Sequence, residues 1–319
     1  MYIRRKRGWE MAQSLATPES VYISRRALLG AGAGLAASTL LPDLASAQAA
    51  PDPSAALYPA RRNDAYGLDR PLTPEKMAST VNNYYEFGTT KDVSRAAARL
   101  KTRPWTITFD GLVERPREVG IDDLLKAVAL EERLYRHRCV EGWSMALPWT
   151  GFPMKDLVAF AKPLGSAKYV RFETFLDKGM APGQASRFYP WPYVEGLSLA
   201  EASNELAFMV TGIYGKPAPN QFGAPLRVVL PWKYGFKSIK AITRVSFVEK
   251  RPVSFWESVQ GSEYGFWANV NPQVPHPRWS QATEEDIATG DRRPTLLYNG
   301  YGSYVADLYT GLKGEKLWM

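Results

Sequence analysis

Cysteine occurs once in 319 residues and histidine twice. A single cysteine forms no intramolecular disulfide, and three such side chains cannot supply the several Cys or His ligands of a zinc or iron–sulfur centre. No haem-attachment motif and no iron–sulfur spacing is present. Beyond residues 1–47, arginine runs and basic helices, the footprint of nucleic-acid binding, are missing too. The formal net charge is +8, but residues 1–47 carry six cations against three acids, which leaves +5 on the rest. That surplus suits anionic ligands and does not call for nucleic acid. There is no internal repeat and no long linker. The one weakly apolar run, Ala27–Leu41, is broken by Gly, Ser and Thr and is short for a bilayer span.

The abundant residues are 10 Trp, 17 Tyr and 24 Pro, a mix that favours short strands and structured loops over a helical bundle. The N-terminal segment "SRRALLGAGAGLAASTLLPDLASAQ" pairs Arg25 with Arg26, continues into the apolar run and ends in a small-residue cleavage pattern at Ala47. It reads as a removable leader over 1–47 and resembles a twin-arginine export signal. "GAGAG" at Gly30–Gly34 lies inside that leader with no strand before it, so it is no phosphate loop. Export by this route places the mature chain, residues 48–319, in the periplasm and favours a cofactor-bearing redox enzyme.

Within 48–319, an extended arm to about Pro74 precedes a single α+β, strand-rich mixed domain. Alternation predicts strands in "WTITFDG" (105–111), "ERLYRHRC" ending at Cys139, "KYVRFETF" (168–175), "ELAFMVTGIYG", "PLRVVLPWKYGF" and "KAITRVSFVEK". Helices are expected in "GIDDLLKAVAL" (120–130), in "FPMKDLVAFAKPLG" with a glycine exit, and after the capping residue Ser198.

Cys139 has three possible roles. A buried structural thiol is the commonest fate of a free cysteine. A nucleophile would need a base, and His137, two residues back on a strand, shares its face without guaranteed contact; it would usually also need a resolving thiol, which is absent. A lone thiolate suffices as a metal ligand only where a cofactor brings the other donors. Arg136, His137 and Arg138 beside it are expected to lower its pKa. Local sequence leaves these roles open.

"RCVEGWSMALPWTGFP" resembles the cofactor-ligand segment of the catalytic subunits of periplasmic protein-methionine-sulfoxide reductases, molybdopterin enzymes with a sulfite-oxidase-type fold. "VNNYYEFG", "RFETF", "YPWPYVEGL", "GAPLRVVLPWKYGFKSIK" and "EYGFWANVNPQVPHPRWSQATE" resemble further segments of that family in the same order. The resemblance implies a Mo-molybdopterin cofactor, with one molybdenum and one pterin per chain and Cys139 as the protein's thiolate ligand. Soft sulfur donors suit such a redox metal. It further implies that Asn83 and Glu141 face the metal as catalytic residues. Asn82, Tyr85, Glu86 and Thr174 would contact the cofactor, and Arg227, Lys240 and the backbone of Ser238 and Ile239 would hold its phosphate. One position departs from the family: Phe222 stands where an asparagine usually precedes "GAP", with Asn220 or Gln221 as partial substitutes.

The activity so implied is reduction of methionine sulfoxide in oxidised periplasmic proteins, with electrons from a haem-bearing inner-membrane subunit fed by quinone. Two competing readings stand beside it: a molybdoenzyme for small S- or N-oxides or sulfite, and a non-catalytic exported binding module in which Cys139 is filler.

Overall fold

The computed structural model describes residues 52–318. The leader segment over 1–47 lies outside the described residues. The chain from Asp52 onward forms one compact unit, with twelve strands among the described residues. They are β1 (Thr106–Gly111), β2 (Arg117–Gly120), β3 (Glu131–Arg138), β4 (Trp143–Pro153), β5 (Tyr169–Thr174) and β6 (Val194–Ser198). After these come β7 (Phe208–Ile213), β8 (Lys216–Pro217), β9 (Arg227–Val229), β10 (Ile242–Val248), β11 (Thr283–Asp286) and β12 (Arg292–Pro294). One sheet has the order β2-β1-β10-β5-β6. The other runs β12-β11-β4-β7-β8, with β3 on β4 and β9 on β7. Both are mixed, since β1 runs parallel to β10 and β11 parallel to β4. With short helices between the strands, this is the α+β, strand-rich architecture expected.

The period-2 burial of β1 and β5 shows why those segments were readable: Ile107, Phe109, Val170 and Phe172 are buried while their neighbours are not. Ser198 caps its short helix, Leu199–Ala202, with a full capping box to Glu201. Three expectations need correction. The helix in 120–130 is only Ile121–Lys126. The helix Met154–Ala161 ends on left-handed Lys162 (φ 52°) ahead of Pro163, not on a glycine. In "PLRVVLPWKYGF" only Arg227–Val229 is strand; the rest turns back through a 3-10 turn at Gly235–Lys237.

The longest strand, β4, is buried on both faces, so it shows no alternation, and it contains Pro148. Proline lacks a backbone donor, yet it sits here opposite Leu134 in the β3 pairing, and its carbonyl accepts from Tyr214 N at 3.1 Å. The β4–β7 register shifts at Thr150/Gly151. A Cβ at Gly151 would lie 2.0 Å from Met209 O, so no side chain fits where these two backbones meet. The arm after Asp52 lies along the domain through Tyr58 Oη to Thr211 Oγ1 at 2.7 Å and Arg62 to Glu132 at 2.7 Å.

Candidate active site

Cys139 stands at the corner between β3 and β4. Its N–H donates to Trp143 O at 2.9 Å and its carbonyl accepts from Gly142 N at 3.0 Å, which closes a tight turn. Gly142 has φ 91°, a conformation that an L side chain rarely adopts. The turn sets Glu141 beside the thiol, with Oε2 3.7 Å from Sγ. Asn83 reaches in from a separate loop, its Nδ2 3.5 Å from Sγ and 3.3 Å from Glu141 Oε2. Trp143 Nε1 donates to the same carboxylate at 3.1 Å.

The flanking arginines do not outweigh the burial of the thiol. Alternation sends Arg136 and Arg138 to the opposite side of the strand. Arg138 is fully buried there and donates to Glu284 at 2.9 Å, to Gln281 Oε1 at 2.7 Å and to the Cys139 carbonyl. Arg136 pairs with Asp69 and Asn299 O. Burial, with the Glu141 carboxylate beside it, pushes the Cys139 thiol up to about 12. Lys91 and Arg138 do lower it, as cations are expected to, but burial and Glu141 outweigh them in the protein alone. Without a metal Cys139 is a protonated, inert thiol, and only a cation that replaces the proton makes it a thiolate donor. His137 does face the cleft, but burial together with Arg227 and Lys240 lowers its pKa to about 3, so it is neutral.

The cleft encloses about 980 Å³, part of it open to solvent. Cys139, Asn82, Asn83, Glu141, Tyr85, Glu86, Arg227, Ser238, Ile239 and Lys240 all line it. Thr174 does not: it is buried behind the wall, with Oγ1 donating to Ala241 O at 3.0 Å. Asn82 gives its amide N–H groups to Ala78 O and Ser79 O at 3.1 and 3.0 Å, closing the end of the helix Glu75–Thr80. Its amide oxygen alone is left for a ligand. Burial pushes the Glu86 carboxyl up to about 7.

The cleft also holds two cations. Buried Arg227 donates to Phe222 O at 2.7 Å and Ser238 O at 3.1 Å and packs over Trp149. Lys240 donates to Asn83 O and Gln221 O at 3.0 and 2.9 Å. Neither has an ion-pair partner among the described residues. Burial lowers Arg227 to about 10, and burial with Arg227 nearby takes Lys240 well below its ordinary value. Neither cation is in an ion pair, and the one carboxyl acting on Lys240, Glu86, has its own pKa raised by burial, which leaves net positive charge facing the cavity. Two buried donors in the same wall, Tyr84 Oη and Trp149 Nε1, have no partner among the described residues. The Ser238 amide is less available than expected, since it donates to Gly235 O at 3.1 Å. Asn220 does not substitute for the family asparagine either. Its amide turns away to Ala97 O and Leu100 O, and Phe222 packs edge-on to Trp149.

Sequence reasoning missed the aromatic rim. Trp256 lies 4.9 Å from the Tyr85 ring and 5.2 Å from Tyr264, and Phe236 is 5.3 Å from Tyr264. Lys91 was also missed, although it donates to both Asn83 Oδ1 and Glu141. These residues come from segments far apart in the chain, and only folding brings them together.

The residues fit a molybdopterin cofactor on these observations: a sole thiol, two cations without ion-pair partners and two unpartnered donors line one cleft. Residues 94–256 match the family described as the oxidoreductase molybdopterin binding domain. The chain is 47% identical over 323 positions to the protein-methionine-sulfoxide reductase catalytic subunit MsrP of Pseudomonas syringae pv. tomato, spanning 95% of this chain and 96% of that protein. Among solved structures, the sulfane dehydrogenase SoxCD of Paracoccus pantotrophus aligns over 49% of this chain and 41% of its own. The identity is 17% and the TM-score 0.40, too slight a likeness to carry any argument.

Proposed function

The chain belongs to the family of molybdopterin-binding protein-methionine-sulfoxide reductase catalytic subunits, and from that membership we propose that it reduces methionine sulfoxide in periplasmic proteins to methionine. Oxidation makes methionine polar and disrupts the packing it took part in, and reduction restores the thioether. The bound molybdenum supplies the oxygen-atom transfer and two-electron chemistry; the chain supplies binding, orientation and electrostatics. Cys139 is the protein ligand. Arg227 and Lys240 hold the anionic end of the cofactor: carbonyls take three of the five Arg227 donors and two of the three Lys240 donors, and the rest are left for it. Asn83 directs its N–H at the ligand sulfur and the space above it, where it would meet the sulfoxide oxygen. Tyr85, Trp256 and Tyr264 form apolar walls at the mouth that suit a thioether.

The observation that carries this reading is the pairing, in one cleft, of the only cysteine with two uncompensated cations. Electrons must come from elsewhere, because one cysteine and two histidines cannot build a second redox chain. The related protein is named a catalytic subunit, which supports a partner; we assign that role to a haem-bearing inner-membrane subunit fed by quinone. The Arg25–Arg26 leader supports periplasmic export by the twin-arginine route.

The test is metal analysis and turnover of protein co-expressed with cofactor biosynthesis. Molybdenum near one per chain, with reduction of methionine sulfoxide in an oxidised protein that small S- or N-oxides displace poorly, supports the reading. Absence of molybdenum would favour a binding module. Preference for a small oxide or for sulfite would favour a different molybdoenzyme.

A further inference from the structure

Lys91 lies outside every segment that carries the family resemblance to the cofactor site, yet its ammonium touches two groups beside Cys139. Its Nζ donates to Asn83 Oδ1 at 2.5 Å and also to the Glu141 carboxylate. The loop itself sets this up: Asn82 N–H donates to Lys91 O at 2.9 Å, closing residues 82–91 and placing Lys91 next to Asn83.

We propose that Lys91 is a positioning residue, clamping the Asn83 amide and the Glu141 carboxylate so that an N–H donor faces the sulfoxide oxygen. This rests on the functional reading above. An ammonium has three donors and no acceptor, so the amide oxygen must face it and the NH2 must face Sγ and the cleft. The same ammonium neutralises the Glu141 carboxylate, whose Oε2 accepts from Lys91 and, at 3.3 Å, from Asn83. A sulfoxide oxygen carries partial negative charge, so a free carboxylate beside it repels where a held amide N–H attracts. Lys91 does not itself line the cleft; it acts through Asn83 and Glu141, which do.

The test uses the molybdenum-loaded full chain with an artificial low-potential electron donor. Lys91→Met should lower kcat/KM about tenfold or more, mainly in kcat, as expected when a reacting group is misplaced. Lys91→Arg should recover most of that loss. In an Asn83→Ala background, Lys91→Met should cost less than about twofold further, because the group it positions is gone. The electron-paramagnetic-resonance line shape of pentavalent molybdenum in Lys91→Met should move toward that of Asn83→Ala, with metal content and Tm unchanged. A merely structural lysine would not move that signal. Equal losses in both backgrounds, a Lys91→Met enzyme within twofold of wild type, or a loss matched by lost molybdenum would each overturn the proposal. A wild-type chain that loads molybdenum but reduces no sulfoxide would sink the functional reading instead, and the resonance comparison would still test Lys91.

Discussion

Lys240→Met should act in opposite directions on the empty and the loaded protein. Lys240 is half-buried and donates to Asn83 O and Gln221 O. Each such bond is worth about 1 kcal/mol net, and cleft water can hydrate the carbonyls left behind. Against that loss stands the relief of holding an ammonium out of water and near Arg227, which together take its pKa well below the ordinary lysine value. The two effects nearly cancel, so the cofactor-free variant should unfold within about 1 kcal/mol of wild type, a Tm change of roughly 2–4 °C. The loaded protein should behave differently. There the ammonium meets an anionic cofactor, and a charge-assisted contact of about 1.5–3 kcal/mol corresponds to roughly 10- to 150-fold weaker retention. Urea unfolding of cofactor-free protein and molybdenum content after dialysis measure the two arms. The pH dependence gives a further check: a lysine depressed in the folded state binds fewer protons there than in the unfolded chain. Cofactor-free wild type should therefore gain stability as pH rises toward about 10.5, and Lys240→Met should lose that gain. A variant that unfolds 3 kcal/mol more easily yet keeps its molybdenum would refute the view of Lys240 as a cation waiting for an anion.

Cys139→Ser should fold normally, because the volume hardly changes, while sulfoxide reduction falls to background and the molybdenum resonance changes shape with loss of sulfur. Wild-type turnover by this variant would remove Cys139 from the site. Glu86 is buried with its carboxyl raised to about 7, so it keeps its proton in the fold while the unfolded chain loses one near pH 4.5. The cofactor-free protein should lose stability between about pH 4.5 and 7, by on the order of 3 kcal/mol, and Glu86→Gln should flatten that window. Lys at both Arg25 and Arg26 keeps the charge but removes the guanidinium pair, and fractionation should find the uncleaved protein in the cytoplasm.

Much of the site was legible because its residues are unusual where they stand. A lone cysteine demands a reason, and the family segments around it fixed the candidates Asn83, Glu141, Arg227 and Lys240 by position. Alternating strands such as Thr106–Gly111 and Tyr169–Thr174 were readable because one face is buried and the other is not. The central strand Trp143–Pro153 was not, because burial on both sides erases the period and Pro148 argues against a strand until its pairing partner is known. Electrostatics also waited for the fold. In sequence Arg136 and Arg138 are the nearest cations to Cys139, but strand geometry turns them away and pairs them with Asp69 and Glu284. The cations and donors that do shape the cleft, Arg227, Lys240 and Lys91, arrive from 48 to 101 residues away along the chain. Sequence settled which chemistry the chain can carry, since that depends on residue type. Which charge faces the sulfur depends on direction in space, and only the packed sheets and loops decide that.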